Sequence, residues 1–162
     1  MESRFQRLTR EPGGKPRDLA LADAETAVQS LSDIGLKLIG AHIDVLHKTP
    51  LKPGSDDGGR GDRLTHAYAL TVEIAEVASI FRLSEICDVA TSFAELLFRM
   101  KGTGTLSADS YQVHVEALRI AFASIDDEQA RQNARVLAEH LRKVVDKLPD
   151  PDALDAEGHT GS

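Results

Sequence analysis

The chain has 162 residues, 19 Lys and Arg against 26 Asp and Glu, and a net charge of −7, which allows one compact domain and argues against a nucleic-acid partner. No apolar h-region follows the charged first residues and no run of about 18 apolar residues occurs, so a cytoplasmic protein without export signal or membrane span is expected. The single cysteine, Cys87, excludes an internal disulfide framework and fits a reducing compartment.

Residues 1–17 carry Arg4, Arg7, Arg10, Lys15 and Arg17, broken by Pro12-Gly13-Gly14 and Pro16, and read as a flexible basic arm. From about Asp18 to Lys48, Ala24, Ala27, Leu31, Ile34, Leu38 and Val45 recur at spacings of three, four or seven, which predicts a helix that buries this face. Asp33 with Lys37 and Asp44 with Lys48 add acid-before-base pairs one turn apart. Gly35 and Gly40 inside this helix each cost roughly 1 kcal/mol relative to alanine, which points to close packing or a slight bend. Thr49-Pro50 ends it, and residues 53–62, with Arg60-Gly61-Asp62, read as a flexible loop.

A second helix is predicted from about Arg63 to Ser79, with Ala67, Leu70, Ile74, Val77 and Ala78 on its core face and Phe81 just beyond. A third, from about Leu83 to Met100, uses Leu83, Ile86, Cys87, Ala90, Phe93, Ala94 and Leu97, and Lys101-Gly-Thr-Gly104 turns the chain. Ser107 is placed as N-cap of a fourth helix, with Leu106 and Tyr111 as hydrophobic staple and Val115, Leu118 and Phe122 facing inward. Asp126 or Asp127 can cap a fifth, carrying Ala130, Ala134, Leu137, Leu141, Val144 and Leu148 until Pro149 stops it. Residues 149–162 read as a disordered acidic tail. The expectation is thus an all-α, up-and-down four-helix-type bundle of about five helices over 18–148, without strands.

Rotating 100° per residue from Ile74 places Tyr68, Val72, Glu76 and Ser79 on the side of the second helix away from the core, with Ala75 at its edge. Residues 67–81, AYALTVEIAEVASIF, followed by RLSEICDVATSFAELL, resemble the phosphohistidine helix and the next helix of histidine-containing phosphotransfer (Hpt) domains. Within that family they are most similar to a subgroup reading I-Y-x-I-A-H-D-I-K-G, then a glycine-rich turn with Phe-Gly-Tyr and a second amphipathic helix. Tyr68, Ile74, Phe81, Ser92 and Leu97 fall in register without gaps, and His114-Val-Glu-Ala-Leu-Arg119 resembles that subgroup's H-V-D-A-L-R. The resemblance covers about residues 63–122.

The same register sets Val72 where the family has its phosphoacceptor histidine. It also sets Ala75 at the family's lysine and Glu76 at the glycine that follows. Valine has no lone pair with which to attack an aspartyl phosphate, alanine supplies no charge clamp, and a carboxylate repels a phosphoryl group of about −2 charge. The resemblance therefore implies a non-catalytic, Hpt-like signalling module without cofactor. Its partner-binding face would be Tyr68, Val72, Ala75, Glu76 and Ser79, and its partner a response-regulator receiver domain or histidine kinase of a two-component phosphorelay.

Two other readings stand beside it: a structural bundle that homodimerises through its fourth and fifth helices, and phosphotransfer through another histidine such as His66. His66 and Val72 point about 120° apart, with His66 near the core boundary. His42 is expected in the first helix's core stripe, His114 and His140 at the edges of apolar faces, and His47 near a helix C-terminus where a cation is favourable. Cys87 is expected to point inward. No two histidines at helical spacing suggest a metal site, and no P-loop, G-x-S-x-G or H-E-x-x-H occurs.

Overall fold

The computed structural model describes residues 16–51, 59–104 and 107–149. Most of the basic arm, residues 52–58 of the glycine-rich loop, Leu106 of the staple and the tail from residue 150 lie outside the described residues. Five α-helices run in order: α1 Arg17–Lys48, α2 Arg60–Ile80, α3 Ser84–Thr103, α4 Ala108–Ala123 and α5 Glu128–Val145. No strand occurs among the described residues, and the architecture is the all-α helical bundle expected from periodicity.

The helix ends follow the local chemistry. Ser107 Oγ accepts from the Ser110 amide at 3.2 Å and Asp127 Oδ1 from the Ala130 amide at 3.0 Å, so both expected N-caps form. Arg60-Gly61-Asp62 opens α2 rather than closing the loop before it, and Asp62 lies in the first turn where the helix dipole favours a negative charge. Gly104 ends α3 in the left-handed region at φ 67°, one turn later than the periodic signal ended. The α2–α3 link closes as a Schellman motif: Leu83 N–H donates to Ala78 at 2.8 Å and Arg82 N–H to Ser79 at 3.2 Å. Its left-handed position is held by Arg82, at φ 58°, where a β-carbon is disfavoured.

By their contacts the residues fall into two units, Met1–Ile34 and Gly35–Ser162. In the second, α3 packs against α2, α4 and α5, and α4 also packs on α5. A helix with neighbours on several sides needs more than one apolar stripe. The sequence stripe of α3 finds Ile86, Ala90, Phe93 and Leu97, which are buried, but Val89, Leu96 and Met100 are buried as well. Leu83, Cys87 and Ala94 are only half-buried, so Cys87 borders the core rather than filling it.

The predicted core face of α1 is wrong. Ala24, Ala27, Leu31, Ile34, Leu38 and Val45 are all exposed, whereas Gly35, Ile39, Ile43 and Leu46 are buried. The helix carries two stripes, and the more regular heptad one is not the buried one. The buried stripe contains a glycine because Phe81 of the α2–α3 link lies against it, so closely that a β-carbon at Gly35 would overlap the ring. Gly40 is a looser version: its β-carbon would meet Phe122 Cζ at 3.3 Å. Close packing, rather than a bend, thus accounts for Gly35. The C-terminal end of α1 is tied to α4, where the Tyr111 hydroxyl donates to the carbonyls of Leu46 and Thr49 at 3.2 and 3.4 Å.

Two substitutions are expected to act against simple propensity. Gly35→Ala should destabilise by about 1 kcal/mol or more despite a helix-propensity gain of similar size, because the Phe81 ring must move. Arg82→Gly should stabilise by about 0.5–1 kcal/mol by relieving the left-handed backbone. Urea unfolding of both variants beside wild type reads the two signs directly.

Candidate functional site

The outward strip of α2 holds Tyr68, Glu76 and Ser79 exposed, while Val72 and Ala75 are half-buried, Ala75 against the edge of the core. The strip is therefore not uniformly solvated: its middle is partly sheltered and its ends stand clear. Tyr68 is 40% exposed and lines an open apolar groove with Leu97, Phe98, Lys101 and Gly102 of α3. Phe98, 45% exposed, had no place in the sequence reading, because it lies off the periodic stripe of α3. An aromatic residue on the polar side of an amphipathic helix was the signal that could have found it. Two rings and a cationic side chain on adjacent helices make a surface that can hold an apolar element with an acidic rim.

The strip carries no histidine at which a phosphoryl group could be received in the Hpt manner. Val72 lacks a nucleophile, and Glu76 and Glu73 are its exposed charged neighbours on the helix. Glu73 faces α1, where its Oε2 lies 3.5 Å from His42 Nε2. His42 is half-buried beside Glu73, not enclosed in an apolar core as its position in the predicted stripe implied. His66 is exposed rather than at the core boundary, and His47 and His140 are also exposed. Among the described residues no group of three or more His, Cys, Asp or Glu side chains converges to hold a metal ion. No helix among them is long and apolar enough to cross a membrane.

The deeply buried polar groups are structural. His114 sits on α4 with its ring stacked near-parallel on Phe93 at 5.4 Å, and Phe93 meets Tyr111 edge-on at 5.1 Å. Its Nδ1 lies 2.8 Å from the Ser110 carbonyl and must carry the proton that this acceptor needs, which leaves Nε2 to accept from the Ser92 hydroxyl at 3.2 Å. Burial lowers the imidazole pKa, partly opposed by the Ser110 hydrogen bond, so the ring stays neutral. A Ser–His pair can activate a nucleophile, but Ser92 is itself buried and both side chains satisfy each other inside the core. At the start of α3, burial raises the Glu85 pKa, yet its own backbone amide, Arg135 of α5 and the Ser84 hydroxyl together bring it below the ordinary value. That ion pair joins the α3 N-terminus to α5, and sequence spacing gave no hint of it because the partners are 50 residues apart.

Comparison with protein-family models, curated proteins and solved structures returned no significant match. The functional reading therefore rests on the residues themselves.

The His114 geometry fixes a pH response. The unfolded chain takes up a proton near pH 6.5, while the folded ring resists it, so stability is full above that value and falls as the pH drops from it toward the lower folded pKa. His114→Gln should be less stable at pH 7.5 by about 1–3 kcal/mol and have a flatter stability profile between pH 7 and 5. Urea midpoints measured across that range test it; an unchanged slope in the variant would remove His114 as the source.

Proposed function

We propose that the protein is a non-catalytic docking module of the Hpt type, which binds a receiver domain or histidine kinase through the outward strip of α2 and the adjoining groove of α3. The observation that carries this reading is Val72 at the centre of the strip, flanked by exposed Tyr68 and by the groove that Tyr68 shares with Phe98. An apolar residue takes the place of a nucleophile while apolar and aromatic contact area remains around it. Loss of the histidine without loss of that area leaves binding as the use of the face.

Glu76 opposes a phosphorylated partner and so selects against the phosphoryl-loaded state, while Lys101 beside the groove offers a cation to an acidic rim. Such a module sequesters or scaffolds its partner instead of relaying phosphate. The core supports this division of labour: His114, the one fully buried histidine among the described residues, is occupied by Ser92 and Ser110.

The test incubates the full chain with receiver domains and kinases encoded in the same genome, in radiolabelled phosphorylated and unphosphorylated forms, and follows both label and binding. Binding to at least one partner without transfer of label is expected, with Tyr68→Ala and Phe98→Ala each weakening it about tenfold or more and leaving the fold intact. Label on the wild-type chain, whether or not it is lost in His66→Ala, or affinities unaffected by both aromatic substitutions, would count against the reading.

A further inference from the structure

The first half of α1 carries an apolar stripe whose residues are exposed. Every residue from Pro16 to Leu31 is exposed, and Val28, Leu31 and Ile34 are 63%, 59% and 62% exposed. A solitary helix of this length is marginal in water, because propensity alone barely repays nucleation. The stripe is also unusually regular. Ala20, Ala24, Ala27, Leu31, Ile34, Leu38, Ala41 and Val45 follow spacings of four, three, four, three, four, three and four, the a and d positions of a heptad repeat.

We propose that this face is an interface for a second copy of the same chain, paired antiparallel to it about a two-fold axis close to residues 29–30. The stripe is complementary to itself in that direction. If Leu31 of one copy meets Ala27 of the other, Ile34 meets Ala24 and Leu38 meets Ala20, so every large side chain faces a small one and the layers interdigitate. The same register brings Val28 against Val28 at the e position. A parallel pairing offers none of this: Leu31 would face Leu31, the alanines would leave gaps between themselves, and Lys37 would flank His42. A two-fold axis makes the contact closed, so it yields a dimer and not a filament. The interface is formed by α1 and not by α4 and α5, the helices that the sequence suggested for self-association.

The experiment is sedimentation equilibrium of the full chain over a concentration series, with Leu31→Asp and the outward-facing control Gln29→Asp. Wild type and Gln29→Asp should be dimeric in the same concentration range, and Leu31→Asp should raise the dissociation constant about a hundredfold or more, because a carboxylate would be buried in an apolar seam. Urea unfolding of Leu31→Asp checks that its own fold persists. Orientation is read in a Cys87→Ser background with a short bis-maleimide. Ser30→Cys, close to the axis, should crosslink to its own copy, while Ala24→Cys, about 15 Å from its counterpart along the axis, should not. A wild type that stays monomeric to about millimolar concentration would overturn the proposal, including the case in which the chain's own termini cover the stripe. A dimer indifferent to Leu31→Asp, or crosslinking through Ala24→Cys in place of Ser30→Cys, would overturn it equally.

Discussion

The packing of α3 against three other helices is the constraint on which the second unit depends. A helix so placed keeps one solvated strip, here Asp88, Thr91, Glu95, Phe98 and Lys101, and must be apolar over the rest of its circumference while staying helical throughout. Phe93 shows how this is met. Its ring meets Tyr111 at its edge and His114 at its face, so one side chain fixes the position of α4 against α3 at two points. The Ser92–His114 hydrogen bond then sets the register of the same two helices, since either partner alone would be a buried polar group without a mate.

This arrangement separates structure from surface chemistry. Polar groups that could be reactive, Ser92, His114 and Glu85, are spent on holding helices together. The outward strip of α2 is left with an aromatic ring, small apolar side chains, a serine and a carboxylate. The groove shared by Tyr68 and Phe98 lies on two helices that are packed against each other, so its shape is set by the fold itself.

Much of the fold was legible in the sequence because the signals were local. Ser107 and Asp127 announced helix starts, Thr49-Pro50 announced a stop, and periodicity found most of the buried face of α2 but only half of those of α4 and α5, where Ala117, Ala121, Ala138 and Val145 were missed and Val144 is exposed. What failed was the choice between two stripes on one helix. On α1 a heptad pattern over seven turns outweighed the shorter set Gly35, Ile39, Ile43 and Leu46, and nothing in a linear pattern says which stripe meets a neighbour. The α3 stripe was half found for the related reason that a central helix has no single core face. For the candidate site, Tyr68, Val72, Ala75, Glu76 and Ser79 could be placed on one strip from helical geometry. Phe98 could not, since its relation to Tyr68 exists only once α2 and α3 are folded against each other.

The Tyr111 hydroxyl, reaching the last carbonyls of α1, anchors that long helix at one end. A helix held so unravels as a zipper with a fixed stop: opening begins at the distant end and must travel toward the clasp. Amide protons near Leu46 then exchange only when the core opens, while those near Arg17 exchange through local fraying. The order of the first turns is in this sense conditional. If a second copy covers the exposed stripe, as proposed, these turns gain order on association and helix content rises with concentration.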